Sequence, residues 1–266
     1  MEPAVSEMVL NAVASLAAPT RVEVDTVNIF GIPVANVTMA EAIEHVRGLL
    51  DEDSFHHIAV VNTNKFWQAR HIEGMNEILQ GADFVIPEYG AVWASRVLGS
   101  PLKENVRGVG LFLSLIPEFE EWDVPVYFLG AKEEVLEEML RNLRIQHPFL
   151  RIAGARNGFF DASDEASIVS DINASGAAVL FVAMGSPRQE FFIDRYCRKL
   201  LPKIAMGVGG SFDVLAGLKK DAPKWTHCGI ESLYRLSLDP KNLMGRYLRV
   251  HPWFVWRTLR TRILGV

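Results

Sequence analysis

The segment Val182–Glu190, VAMGSPRQE, combines residue types that can hold an anion. It follows a strand-like apolar run, Ala177–Ala183, and opens a helix-like one, Gln189–Leu200. Gly185 allows a tight turn and close backbone approach. Ser186 is expected to be the N-cap and Pro187 the first helical residue, where its missing N–H costs nothing. A helix start at the carboxyl end of a strand offers free N–H groups and the positive end of the helix dipole, which suits a diphosphate. Arg188 and Gln189 add donors in the first turn. The plain alternative is a capped connection with no ligand. Three further polar turns are expected after strands: Asn62-Thr63-Asn64, Pro87-Glu88-Tyr89-Gly90, and the glycines Gly207, Gly209 and Gly210 of GVGGSFD.

Other chemistries find little support. The seven histidines show no HExxH spacing, and there is no Walker loop or GxSxG elbow. Asp51-Glu52-Asp53 has the look of a metal-binding acidic triplet, but it ends a helix before an ordinary strand and is read as a solvated loop. His56-His57 begins a strand and is read as structural. Cys197 and Cys228 lack metal-ligand spacing and are expected to be reduced thiols in a cytosolic protein.

The elements that position these turns alternate. A hairpin is expected from Val22–Ile29 and the turn Phe30–Pro33. Thr38 caps a helix from Met39 to about Leu50, with Ala42, Ile43, Val46, Leu49 and Leu50 at helical spacing. Strands follow at Ile58–Val61, Asp83–Ile86, Val126–Leu129, Arg151–Ala155, Ala178–Ala183 and Ile204–Val208. Helices are expected at Phe66–Ile72, Met75–Leu79, Gly90–Leu98, Leu111–Phe119, Glu133–Gln146 and Glu165–Ala174. This rhythm predicts an α/β fold: a doubly wound, Rossmann-like parallel sheet with helices on both faces. Ligands in such sheets bind outside the carboxyl ends of the strands, where the polar turns fall.

The chain has 266 residues, 49% of them apolar, enough for a large core. Its net charge of −5 is unevenly spread. The first 240 residues carry 21 basic and 32 acidic side chains, a net −11, and the last 26 carry six basic ones and no acid. Those six alternate with Tyr247, Trp253, Phe254, Trp256, Leu259 and Ile263. Such a tail suits an anionic membrane surface; the alternative is a basic helix packing its aromatics on the body. The acidic body argues against a broad nucleic-acid footprint. We expect three parts: an N-terminal extension over 1–20 that is not a signal peptide, an α/β domain over 21–225, and a helical basic and aromatic membrane-docking appendage over 226–266. No apolar run approaches the roughly 18 residues of a spanning helix. Val92, Trp93 and Leu98 are expected to be exposed helix positions able to serve a homo-oligomer interface.

Taken in order, ADFVIPEYGAVWASRVLGSPL (Ala82–Leu102), VAMGSPRQE, VGGSFDVLAG (Val208–Gly217), DAP (Asp221–Pro223) and GIESLYRLSLDP (Gly229–Pro240) carry a resemblance. The chain resembles the WecG/TagA/CpsF glycosyltransferases, glycosyltransferase family 26. The resemblance implies a sugar transferase of bacterial envelope or exopolysaccharide synthesis, acting at the inner face of the cell membrane. The donor would be a UDP-sugar of N-acetylmannosamine or a relative such as a uronic acid, and the acceptor a polyprenyl-diphosphate-linked saccharide. The implied reaction inverts the anomeric centre and uses no metal or other cofactor. A base must then take the acceptor's proton, and protein donors must hold the departing diphosphate.

Carried over by position, Asn64 matches the family asparagine after the early strand, and Asn62 replaces its threonine. Glu88 takes the place of the family's proposed catalytic aspartate if one gap is allowed; without the gap Pro87 does. Arg107 stands near a family arginine that is absent here. Gln189 falls on the family's glutamine near the reacting centre, followed by Glu190. Gly209, Gly210, Phe212 and Asp213 match the nucleotide-side turn. Asp221 replaces an arginine, Arg235 and Arg246 match appendage arginines, and Asn242 replaces a third. For Glu190 and Asp213 an internal salt bridge or cap is the alternative to substrate contact. Departures cluster on the acceptor side. Two functions follow: an active transferase with Glu88 as base, or a homologue without catalysis that binds a nucleotide sugar or scaffolds a partner.

Overall fold

The computed structural model describes residues 24–219, Pro223, 231–238 and 240–265. The expected extension over 1–20, Asp221, Cys228 and the side chains of Arg235 and Asn242 lie outside the described residues.

A two-stranded antiparallel hairpin, β1 (Thr26–Ile29) and β2 (Ile32–Ala35), precedes the main sheet and remains separate from it. Helix α1 (Met39–Asp51) starts in a capping box: the Thr38 hydroxyl accepts from the Glu41 N–H, and the Glu41 carboxylate accepts from the Thr38 N–H. The chain then alternates through β3 (His56–Val61), α2 (Thr63–His71), α3 (Met75–Gly81), β4 (Phe84–Pro87), α4 (Tyr89–Leu98), α5 (Gly108–Glu121), β5 (Val126–Gly130), α6 (Glu133–Gln146), β6 (Ile152–Arg156), α7 (Glu165–Ala174), β7 (Val179–Ala183), α8 (Arg188–Tyr196), β8 (Ile204–Gly207) and α9 (Ser211–Leu215). Two further helices close it, α10 (Glu231–Leu238) and α11 (Pro240–Leu264).

The six strands pair in parallel in the order β4-β3-β8-β7-β5-β6. Alternate residues of each strand face opposite layers. Ile58, Val60, Phe84, Phe128, Phe181 and Met206 pack with α1, α5, α6 and α9. Ala59, Val61 and Val85 pack with α2, α3, α4 and the hairpin, and Leu129, Leu180 and Ala205 pack with α7 and α8. The expected doubly wound sheet is therefore observed. Its switch point lies between the neighbours β3 and β8. The chain leaves β3 for one face, where Phe66 of α2 is buried, and leaves β8 for the other, where Phe212 of α9 is buried. A crevice opens between connections that diverge in this way.

Helix α11 runs alongside α2 in the same direction: Arg249 lies over Trp67, and Trp253 meets His71 four residues further along both. Phe254 packs against Phe30, Phe66 and Trp93. This corrects the expected interface on α4. Val92 is buried, and Trp93 and Leu98 are half-buried in the same apolar cluster as Phe254. Among the described residues no helix is long and apolar enough to cross a membrane.

Candidate active site

The carboxyl ends of β3, β4, β7 and β8 bring four polar turns to one edge of the sheet. After β3, the Asn62 side chain caps α2 by accepting from the Lys65 N–H at 3.0 Å, and Asn64 sits half-buried in the first turn. After β4, Glu88 occupies the N-cap position of α4 without capping it. Its Oε1 accepts from the N–H of Gly108, which opens α5, at 3.2 Å. The preceding residue, Arg107, is buried, takes a positive φ of 56° and donates its N–H to the Pro87 carbonyl. A non-glycine residue holds that conformation only under strain that its surroundings maintain. The first turns of α2 and α4 touch because residue 90 is glycine: a Cβ there would lie 2.5 Å from the Thr63 hydroxyl.

The Gly185–Gln189 turn differs from its expected form in two respects. Pro187, after a cis Ser186–Pro187 peptide, takes the N-cap position, and α8 begins at Arg188. Ser186 is therefore not the cap; its hydroxyl donates to Gln68 Oε1 at 2.7 Å, tying the turn to α2. Arg188 points away from the turn as well. Its guanidinium donates to the carbonyls of Gly158 and Phe160 and lies over the Phe160 ring. It anchors the connection after β6 and adds no donor to the crevice. What remains there for an anion is backbone, at the start of a nine-residue helix.

Beneath the crevice lies a buried ionic network. Lys65 Nζ meets Glu190 Oε1 at 2.5 Å, with the two residues 5% and 1% exposed. Gln189, 2% exposed, donates to Glu190 at 2.8 Å and accepts from the Gly209 N–H at 3.1 Å. Residue 207 must be glycine for this, because a Cβ would stand 2.5 Å from Gln189 Nε2. The network thus fixes the Gly209–Gly210 turn after β8. Burial is the largest single influence and would raise the Glu190 pKa, but the Lys65 charge together with hydrogen bonds from Lys65, Ser186 and Gln189 outweighs it and holds the carboxyl below its ordinary range. His57 of β3 adjoins both. Burial, reinforced by Lys65, lowers its pKa to about 4, so it stays neutral. Asp213 pairs with Lys219 at 3.2 Å, the internal salt bridge weighed against substrate contact.

The structure thus brings Asn62, Asn64, Glu88, Gly185, Ser186, Gly209 and Gly210 to one crevice edge, with Arg107 buried behind Glu88. It keeps Gln189 and Glu190 below the surface. Exposed Arg246 lies against Tyr247. Three residues ahead of Arg249 on α11, it stands about level with Asn64, three residues ahead of Trp67 on α2. Lys65 was missed by sequence reasoning. Its signal was a lysine within the apolar-facing run that follows Asn62-Thr63-Asn64. Among the described residues no three His, Cys, Asp or Glu side chains gather as metal ligands.

Comparison with known proteins gives the context. Residues 27–265 match the Glycosyl transferase WecG/TagA/CpsF family. A Bacillus spizizenii (strain W23) N-acetylglucosaminyldiphosphoundecaprenol N-acetyl-beta-D-mannosaminyltransferase is 34% identical over 194 residues, covering 72% of this chain and 74% of the relative. The Bacillus subtilis (strain 168) enzyme of the same name is 30% identical over 219 residues, covering 81% and 84%. The match runs from β1 through α11 and takes in every turn of the crevice, so the chain belongs to the WecG/TagA/CpsF family of glycosyl transferases.

Proposed function

We propose that this chain is an inverting, metal-independent hexosyltransferase that moves an N-acetylmannosamine-like or uronic acid sugar from a UDP-sugar to a polyprenyl-diphosphate-linked saccharide. Its setting is envelope or exopolysaccharide synthesis at the cytoplasmic face of the membrane, with α10 and α11 as a docking appendage. Support for the acceptor class comes from the relatives, whose names specify a diphosphoundecaprenol-linked sugar. The observation that carries the mechanism is Glu88, a carboxylate held at the crevice by the Gly108 N–H.

In this reading Glu88 Oε1 stays bound to Gly108 while Oε2 takes the proton from the acceptor hydroxyl as that oxygen attacks the anomeric carbon. The bond to UDP breaks on the opposite face of the sugar. The departing diphosphate is met by backbone N–H groups at the starts of α2 and α8 and by the Gly209–Gly210 turn. Asn62 and Asn64 border the sugar. Gln189 acts from below by holding the glycine turn, and Glu190 and Lys65 hold Gln189. Arg107 sets the approach of α5 to Glu88, and Arg246 closes the site from the appendage side.

The test is UDP release from a panel of UDP-sugars with a lipid-diphosphate-sugar acceptor, with and without EDTA. Acceptor-dependent release that survives EDTA is expected. Glu88→Gln should lower turnover by at least about 100-fold while sparing UDP-sugar binding. Full turnover in that variant removes Glu88 from the mechanism. Donor binding without release in the wild type would favour the non-catalytic reading.

A further inference from the structure

The cleft between α2 and α11 lies apart from the crevice. Arg70 is six residues beyond Asn64 on α2, about 9 Å of helix rise away. The cleft, about 310 Å³, is lined by Arg70, His71, Trp253, Trp256, Arg257 and Arg260. An adjoining cleft of about 320 Å³ shares Arg70, Trp253 and Arg257 and includes Glu77 in its lining. Arg257 lies over the Phe30 ring at 5.6 Å and Arg260 over the Trp256 ring at 5.2 Å. A guanidinium held over a ring keeps N–H groups at its edge with which to bind an anion. Among the described residues none of the three arginines forms an ion pair with a carboxylate. Arg70, Arg257 and Arg260 line one cleft with no carboxylate among its lining residues, which favours a bound anion, and a guanidinium fork matches phosphate oxygens.

The surface beside the cleft indicates what carries that phosphate. Leu248, Val255, Trp256, Leu259 and Ile263 form an exposed apolar stripe along α11, with Leu248 68% and Ile263 79% exposed. Their spacing keeps them within about a third of the helix circumference. Arg249 and Arg260 border one side and Arg262 the other. A second copy would set these cations against their own kind, and a polynucleotide would leave the stripe in water. A bilayer interface takes the stripe, the indole of Trp256 and the arginines together.

We propose that the cleft lined by Arg70, Arg257 and Arg260 binds the phosphate of an anionic phospholipid headgroup. The proposal rests on the membrane-docking reading above and adds a defined headgroup site to it. Arg70, on the catalytic body, then shares the lipid with α11 and registers the body against the bilayer.

Flotation with phosphatidylcholine vesicles, with and without phosphatidylglycerol, tests both claims using the full chain. The wild type should float with phosphatidylglycerol vesicles. Arg70→Gln combined with Arg260→Gln should weaken that binding about 30-fold, with the circular dichroism spectrum unchanged and Arg144→Gln as a surface control. Trp256→Ser with Leu259→Ser should abolish flotation. If the arginine pair binds like the wild type while the Trp256 and Leu259 pair does not bind, docking stands and the headgroup site falls. If the wild type does not float, both fall. Quenching of tryptophan fluorescence by glycerol phosphate without flotation would assign the cleft to a soluble phosphate and overturn the lipid source. Self-association blocked by Trp256→Ser in sedimentation, again without flotation, would assign the stripe to a second copy.

Discussion

Lys65 and Glu190 meet where water does not reach, and each is costly without the other. Lys65→Met leaves the Glu190 carboxylate buried and uncompensated, and should cost about 3–5 kcal/mol in urea unfolding. Adding Glu190→Met to Lys65→Met should restore much of the stability while leaving turnover low, because Gln189 and the Gly209 turn lose their brace. A stable Lys65→Met single variant would show that the pair does not hold the crevice. His57 makes a separate prediction. The unfolded chain protonates it near pH 6.5, whereas the fold keeps it neutral down to about pH 4. Unfolding therefore takes up a proton between these values, and stability falls as pH drops through that window, by about 2 kcal/mol between pH 7 and pH 5. Glu190, held low, adds its own loss only below the ordinary glutamate range of 4.5. His57→Asn should flatten the decline in Tm from pH 7 to pH 5; an unchanged slope would reject the assignment. At this scale the internal salt bridge was legible as an open alternative for Glu190, whereas Glu88 could be aligned only by allowing a one-residue gap. Lys65 was not legible, because nothing local tells a lysine that its partner lies 125 positions away. Arg188 failed for the same reason: its partners are carbonyls of Gly158 and Phe160, which no local pattern links to it.

At the scale of elements, glycines let the helix starts approach the crevice. Gly90→Ala would drive a Cβ to 2.5 Å from the Thr63 hydroxyl and push α4 off α2. The expected cost is about 1–3 kcal/mol, with a loss of turnover because Glu88 opens α4. Thr63→Ala in the same chain removes that hydroxyl and should recover part of both. No recovery in thermal melts and in UDP release would mean that the contact between the two turns does not set Glu88. The elements themselves were the most legible feature of this chain. The continuous apolar run Ile58–Val61 and helical spacing in α1 are local signals, and both appear where the pattern puts them. The ends were less legible. The apolar pattern through Leu200 predicts a longer helix, yet α8 stops at Tyr196. Its start moved because Ser186 found a partner in Gln68, and a hydroxyl that bonds across the fold does not cap its own helix.

The whole molecule turns on α11, whose two faces answer to different environments. Its inner face buries Val250, Phe254 and Thr258 against α2, α4 and the hairpin. Its outer face shows the apolar stripe and the arginines to solvent. The charge pattern announced both possibilities, packing and membrane docking, without dividing the residues between them. Only the rotation of the helix about its axis, fixed by Phe254 against Phe30 and Phe66, does so. Substitutions on the two faces should therefore separate stability from localisation. Phe254→Ala should cost about 3–5 kcal/mol and expose the chain ahead of Pro240 to protease. Leu259→Ser together with Ile263→Ser should leave the melting temperature within the error of a surface change, about 0.5 kcal/mol, yet lower binding to anionic vesicles. The residual binding of that pair should fall more steeply with salt than that of the wild type, because electrostatic attraction remains after the apolar contribution is gone. Removing 241–266 altogether is the poorer experiment, since it also uncovers Trp93 and Leu98 and confounds the two effects. Equal vesicle binding by the outer-face pair and the wild type would leave α11 as a packing element alone, and the acceptor lipid would then have to reach the crevice without it.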